Sequence, residues 1–576
     1  MGGGTGGIRG VSGRSGSRGP AASTSAAFLE QPEAWTEWWA HNRDVFLWDV
    51  LASDAPRGPI TAAGQHRTDR PAERSALPHA PSRAQIYTRL VPVLLERIET
   101  EDDAGALAEA VLAVGRMARA PFDEPVADAL LPLLAHDDAR VAQSAAVAFG
   151  LLGGEDGRDA LHELSTCSHA GHELAGRSRV PDGLRIMATL SLGLLGDESS
   201  SPRLRDLAEG GLDAGDELRA SAILALGIMG EDADGGTAPW LDEWSQDRRL
   251  PLNLQVSLAT SLGRVDDDRS ASALVAILED RDSDAPTHQA AVAALGRAAS
   301  LDDAAAVSAL VDAVEEGRDA GTRQLALLSL ARLATSEAST PETLDARKSI
   351  DRLVRRELRK PSHSVDRPFT ALAAGLLMRG RPELRRDLGV FLIEAYDDAS
   401  DPSQRGAFAL GLGLGRVDDG APSLRDDLAD TRDTALQGHL AVALGLLGDE
   451  EAAPLLRERL LADGQTQDLR EDVATGLRLL DDGYAVRVLA DAYVQASNAA
   501  NRDGLAAALG ELRHAHGVDA LLSACRDDRL DAGSRASAYA ALGRLAESTA
   551  EPFTVRLTRD DAPAHAPGAV QALSAR

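Results

Sequence analysis

Apolar and polar residues alternate along most of this chain with the three-and-four spacing of an amphipathic helix. Near residue 440, Leu440, Ala443, Leu444 and Leu447 form one stripe. It ends at Gly448, followed by Asp449 and Glu450, the pattern of a helix closed by a left-handed glycine, expected also at Gly196 and Gly230. Proline opens the next apolar run at Pro454, as Pro125 does earlier. The pattern predicts short helices separated by tight turns.

The phrase around Leu444 recurs. AVAFGLLGGED stands at 146, ATLSLGLLGDES at 188, AILALGIMGED at 222, AVAALGRAAS at 291, AFALGLGLGRVDD at 407 and AYAALGRLAES at 538. Aligned on the residue after the Ala/Ser-Leu pair, thirteen copies fall at Gly115, Gly150, Gly193, Gly227, Gly263, Gly296, Ala331, Gly375, Gly411, Gly445, Gly476, Gly510 and Gly543. A separation near 34 residues accommodates two helices of about three to four turns each with their turns. Glycine inside a helix costs about 1 kcal/mol relative to alanine. Its recurrence predicts close approach of the neighbouring repeat's helix at that point.

This phrase resembles the HEAT repeat, in the short HEAT-like form associated with phycobilisome lyases, over about residues 86–548. The resemblance implies an all-α chain, a right-handed α-solenoid of about 13 HEAT-like helix pairs. It says little of function, because such repeats serve many roles.

Ahead of the repeats stands PEAWTEWWAHNRDVFLWDV, residues 32 to 50, with four of the six tryptophans: Trp35, Trp38, Trp39 and Trp48. Trp35, Trp38, Trp39, Asn42 and Phe46 share one helical face. An open solenoid leaves an apolar face wet at each end, so Trp35, Trp38, Trp39 and Phe46 are expected to form a plug that docks back on the array through the linker and caps it; a segment that binds a partner's groove and a ligand or sugar platform are the alternatives. The stretch resembles the Trp-rich N-terminal segment of a group of bacterial HEAT-repeat proteins, from which no catalytic residues carry over. The expected organisation is a Gly/Ser/Arg-rich tail at 1–27, the aromatic helix at 28–52, a Pro/Ala-rich linker at 53–85, the repeats at 86–548 and a tail or cap at 549–576.

Net charge is −30, from 90 acidic and 60 basic residues, which disfavours nucleic acid and anionic membranes as partners of the whole chain. Only Lys348 and Lys360 are lysines; the arginine bias fits GC-rich coding and a bacterial source. Two distant cysteines, Cys167 and Cys525, make no disulfide framework. No apolar run reaches transmembrane length. The first residues lack the apolar core of a signal peptide, so the chain as written reads as cytoplasmic; a start further upstream would make it secreted or periplasmic.

Two repeat intervals are long, and insertions in solenoids emerge as loops. The first holds LHELSTCSHAGHEL, where His162, Cys167, His169 and His172 are candidate metal ligands at a spacing that matches no zinc motif. The second, from Arg347 to Arg386, carries twelve basic and four acidic residues. Its core, DARKSIDRLVRRELRKP, presents Arg352, Arg355, Arg356, Arg359 and Lys360 as a candidate docking patch for an acidic protein.

Two enzyme classes share the repeat phrase. Deoxyhypusine hydroxylase-like proteins place His-Glu pairs just before it; here those positions read Gln143-Ser144, Ile186-Met187, Ala220-Ser221 and Gly438-His439. Phycobilin lyase-like activity has only the repeat in its favour. GLGLGR at 411–416 lies inside a repeat helix and carries no nucleotide signal. The expectation is a monomeric, non-catalytic scaffold or adaptor with no cofactor and a protein partner of acidic character, with neither nucleic acid nor membrane. The alternative is a metal-dependent protein centred on residues 162–172.

Overall fold

The computed structural model describes residues 34–54, 79–118, 124–230, 235–247, 249–265 and 267–547. The expected tails at 1–27 and 549–576 lie outside the described residues, as do most of the linker and the side chain of Trp48. Among the described residues there are helices and no strands. Each repeat is an outer helix, a turn and an inner helix that carries the glycine phrase. The inner helices of repeats 1 to 4 are Ala104–Met117, Ala139–Leu152, Asp182–Leu195 and Asp216–Met229. Those of repeats 5 to 9 are Leu252–Leu262, Ala285–Ala298, Ala320–Thr335, Arg367–Gly380 and Pro402–Gly415. Repeats 10 to 13 supply Thr434–Leu447, Gln467–Leu479, Ala499–Leu512 and Ala532–Leu545. The all-α solenoid is as the periodicity predicts.

Local chemistry starts these helices where they start. Asp103, Asp138, Asp319, Asp401, Asp433 and Asp531 each accept a backbone N–H from the first turn of an inner helix, as do Thr466 and Asn498. Such a cap contributes about 1 kcal/mol, and a carboxylate there also meets the positive end of the helix dipole. Part of the acidic excess is therefore structural. Gly196 and Gly448 end their helices in the left-handed region, at φ +70° and +77°. Gly230 differs: its φ is +89° but its ψ is −162°, so it turns the chain out without a left-handed cap.

Every inner helix packs on the inner helix of the next repeat, and that of repeat 13 packs on that of repeat 1. The array closes into a ring. The seam uses the same contact as the other junctions. A Cβ built on Gly543 would lie 2.9 Å from Ala113 Cα, as one on Gly115 would lie 2.7 Å from Ala148 Cα. Two repeats sit two residues out of the alignment made on the phrase. Gly411 and Gly476 turn back toward repeats 8 and 10; in repeat 9 Gly413 faces forward, against Ala443, and the corresponding place in repeat 11 belongs to Arg478.

The outer layer of the seam is ionic. Arg535 donates to both oxygens of Glu101, at 2.8 and 2.6 Å, and Tyr539 Oη donates to Glu101 at 3.1 Å. Arg97 reaches Tyr539 Oη at 3.1 Å and Asp528 at 2.8 Å. Burial works to raise the Glu101 carboxyl, but its bonds from Arg535, Asp103 N–H and Tyr539 outweigh this and hold it below the ordinary range.

Candidate functional site

Closure gives the ring an interior, walled by the inner-helix faces turned away from the outer helices. The helix Ala34–Asp54 lies there. Its direction follows from its neighbours. Trp35 meets Ser403 and His439 in the N-terminal halves of their helices, whereas Phe46 meets Arg332 near the C-terminal end of repeat 7's inner helix. The aromatic helix therefore runs roughly parallel to the wall.

The segment docks back on the array as expected, but the end-capping role is corrected by this placement. Repeat 13 covers repeat 1, so no wet terminal face exists for Trp35, Trp38, Trp39 and Phe46 to cover. All four side chains are buried, and their contacts reach the wall in repeats 7 to 10. Trp35 Nε1 donates to Ser403 Oγ at 2.7 Å, and its ring lies 4.8 Å from the His439 ring. The Trp38 ring lies 4.9 Å from Phe369. Phe46 sits 5.7 Å from Trp38 and 5.6 Å from Trp39, with the Arg332 guanidinium 5.3 Å from its centroid. Aromatic pairs of this kind contribute roughly 0.5–1.5 kcal/mol each beyond the area they bury.

Arg43 adds a charged contact. It pairs with Asp472 and lies 3.7 Å from Glu471 in repeat 11. Burial opposes its charge, but Asp472, Asp44, Glu511 and Glu471 outweigh this and raise its pKa. Glu471 also receives Arg544 from repeat 13 at 3.3 Å, and Glu511 receives Arg478 at 3.0 Å. Burial pushes the Asp472 carboxyl up to about 6 against the attraction of Arg43. It pushes the His439 imidazole down to about 4, helped by Arg43. His439 is thus neutral at pH 7.

The fit leaves polar atoms over. Among the described residues, Trp38 Nε1, Asn42 Oδ1 and His439 Nδ1 are buried with no hydrogen-bond partner, although Asn42 Nδ2 donates to Trp38 O at 2.8 Å. Each such atom costs about 1–3 kcal/mol. The exposed side of the helix carries Glu37, Ala40 and His41.

Residues 390–478, which hold most of repeat 9 and all of repeats 10 and 11, match the family of HEAT repeats. That segment is of the HEAT-repeat family, and the described chain as a whole is an all-α solenoid. No curated protein sequence matches it. Among solved structures it is similar to yeast importin-beta (Kap95p), at 11% identity over 81% of this chain and 70% of that one, with a TM-score of 0.40. Human deoxyhypusine hydroxylase is similar at 19% identity, over 50% of this chain and 99% of that one, with a TM-score of 0.23.

The HEAT framework places the two inserted segments on its outside. His162, on the outer helix Glu155–Ser165 of repeat 3, is buried, with Nε2 3.0 Å from Ser200 Oγ. Cys167 Sγ lies 3.3 Å from His172 Nε2. The His169 side chain is 91% exposed and lies 3.6 Å from Glu173. The metal-loop expectation is corrected here, because His162 is buried against Ser200 and His169 points to solvent from the short helix His169–Leu174, which leaves Cys167 and His172 as the one pair of the four in contact. Among the described residues no three His, Cys, Asp or Glu side chains gather as a metal set.

The basic residues ride on Pro341–Arg359, the long outer helix of HEAT repeat 8, whose other face buries Ile350, Leu353, Val354 and Leu358. Arg355 pairs with Asp387 of repeat 9, and Arg356 reaches Glu315 of repeat 7 at 3.0 Å. Arg359 lies 4.8 Å from the Phe391 ring centroid. Arg352 Nε donates to Lys348 O at 3.2 Å, and Lys360 is exposed at the helix end. Three of the five candidate docking residues thus contact neighbouring repeats. Among the described residues no helix is long and apolar enough to cross a membrane.

Sequence reasoning missed the wall residues Phe369, Ser403, His439, Glu471, Asp472 and Arg332. A signal for three of them exists. The sixth residue before the forward-facing position is Ser144, Ser221, Ser257 and Ala290 in repeats 2, 4, 5 and 6, but Phe369, His439 and Asp472 in repeats 8, 10 and 11. Aligning repeat 11 on Gly476 puts Arg470 in that place and hides Asp472.

Proposed function

We propose that this protein is a non-catalytic interaction scaffold, a ring of HEAT-like repeats that holds a protein partner through helix-binding surfaces. One observation carries the reading. The inner wall already holds a helix by side-chain recognition, taking an indole at Ser403 and His439 and a guanidinium at Asp472. That is the chemistry of helix-in-groove binding. The similarity to importin-beta, which one solved structure pairs with Nup1, concerns fold and adds no weight. An acidic partner segment would meet the outer helix of repeat 8 through Arg352 and Lys360, since Arg355, Arg356 and Arg359 have intramolecular contacts.

Photocrosslinking from the full chain tests this. A photoreactive residue at Ala40, on the exposed side of the interior helix, samples the ring's interior; one at Arg352 samples the outer helix. Recovery of one partner polypeptide at either place, reduced by salt at Arg352, supports the reading. Self-crosslinks alone at both places sink it.

A further inference from the structure

We propose that the interior groove of repeats 7 to 11 is a receptor for an aromatic, arginine-bearing helix of another protein, and that residues 34–54 occupy it as an internal competitor. This rests on the scaffold reading and names the kind of partner it requires.

The groove is specific in its chemistry. Phe369 and His439 present ring faces, Ser403 presents a hydrogen-bond acceptor, and Asp472 with Glu471 presents buried negative charge. Glu471 keeps Arg544 in any case, but an occupant that brought no cation would leave the largely buried Asp472 carboxylate without its ion pair, which is costly. The matching helix therefore carries two aromatic residues three positions apart and an arginine five positions after the second, as Trp35, Trp38 and Arg43 do. The ring's own junctions do not require these wall side chains. Small residues hold the corresponding place in repeats 2, 4, 5 and 6, where the inner helices pack on one another in the same way.

The resident helix is an imperfect occupant. Trp38 Nε1 and Asn42 Oδ1 on the helix, and His439 Nδ1 on the wall, are at least nine-tenths buried and unpartnered. His439 Nδ1 abuts Gly406 of the wall, but a foreign helix with no buried polar atom left over avoids the cost that the resident one carries at Trp38 Nε1 and Asn42 Oδ1. The resident helix has a different advantage. It is joined to the ring through residues 55–78, and a tethered ligand acts at an effective concentration on the order of mM. Competition between a better-fitting free helix and a tethered poorer one gives a groove that stays filled until its partner arrives.

Cutting the tether separates these terms. A protease site is placed within residues 55–78 of the full chain, and the folded protein is cleaved. The probe is a fluorescein-labelled peptide of residues 30–54, followed by anisotropy, with the ring's thermal transition recorded before and after. The uncut chain is expected to bind the probe at least 100-fold more weakly than the cut one. Probe peptides with Trp38→Ala or Arg43→Glu should bind the cut chain at least 30-fold more weakly than the parent peptide, and the ring should keep its transition throughout. A cut chain that never exchanges, or a ring that unfolds as its helix leaves, overturns the proposal and makes the helix a strut. A partner crosslinked only at Arg352, without exchange, also overturns it while leaving the scaffold reading intact. Exchange with a partner crosslinked at Ala40 supports both. Exchange with self-crosslinks alone removes the scaffold reading and this proposal with it.

Discussion

The seam and the interior groove both join residues far apart in the chain, yet they are built from different materials. At the seam, Gly543 meets Ala113 as Gly115 meets Ala148 one junction on. Closure repeats the rule that sets every junction, with Glu101, Arg535 and Tyr539 added outside it. The groove is built from exceptions. Phe369, His439 and Asp472 stand where several other repeats carry serine or alanine. The repeated positions specify a ring, and departures from them specify what the ring holds.

Breaking the seam should have the largest effect. Glu101 is 7% exposed and takes bonds from Arg535 and Tyr539. Removing one partner of a buried ion pair costs about 3–5 kcal/mol. Glu101→Ala should lower the thermal midpoint and raise the radius of gyration in small-angle scattering as the ring opens, with helicity retained. An unchanged radius would mean that the small-residue contact between repeats 13 and 1 closes the ring unaided.

Breaking the groove comes next. Trp38→Ala removes a buried ring packed against Phe369 and Phe46, a loss of about 3 kcal/mol. It should fall on docking of the helix. Hydrogen exchange should rise in residues 34–47 and along the wall helices 367–380 and 434–447, while the seam at 101–117 and 532–545 stays protected. Exchange rising equally at the seam would show that the two regions unfold as one.

How much of this was legible in the sequence follows the same division. The helix pairs, their capping and the close packing at glycine could be read because they repeat, and thirteen copies average out the irregularity of any one. Closure was not legible, since whether the two ends meet depends on small rotations accumulated over the whole array, which no single residue announces. The aromatic face at residues 35–46 could be read, but its destination could not. An end cap was the reasonable expectation for an array with ends. The histidine loop and the arginine helix drew attention by composition, and the structure spends most of those side chains locally. Arg355 and Arg356 serve Asp387 and Glu315 on neighbouring repeats, a use that charge counting cannot distinguish from a docking surface.

Two titrations sharpen the comparison, because they oppose each other inside the groove and involve no seam residue. His439 titrates at about 4 when docked, against an ordinary 6.5. Its neutral form is favoured in the docked state, so its contribution is lost as pH falls from 6.5 toward 4. Asp472 titrates at about 6, against an ordinary 3.8. Its protonated form is favoured when docked, so docking gains as pH falls through 6 and the gain is complete below 3.8. The two contributions to docking have opposite sign. Docking in the parent protein, read from hydrogen exchange of residues 34–47, should change little between pH 6 and pH 4. His439→Gln should dock more firmly on acidification and Asp472→Asn less firmly. Parallel behaviour of the two variants would mean that they do not titrate independently.

The smallest effect is expected on the outer helix, which belongs to neither region. Arg352 bonds only to the Lys348 carbonyl of its own helix and Lys360 is exposed, so Arg352→Glu with Lys360→Glu should move stability by less than about 0.5 kcal/mol. Arg356→Glu should cost more, on the order of 1 kcal/mol, because it sets a carboxylate against Glu315 and the buried Glu357. Neither change should alter the scattering profile or the exchange of residues 34–47. The double variant therefore separates the two candidate binding surfaces in function: a partner held at the outer helix is lost with it, whereas one held in the groove is retained. Retention would place recognition in the ring's interior, on the side chains that depart from the repeat.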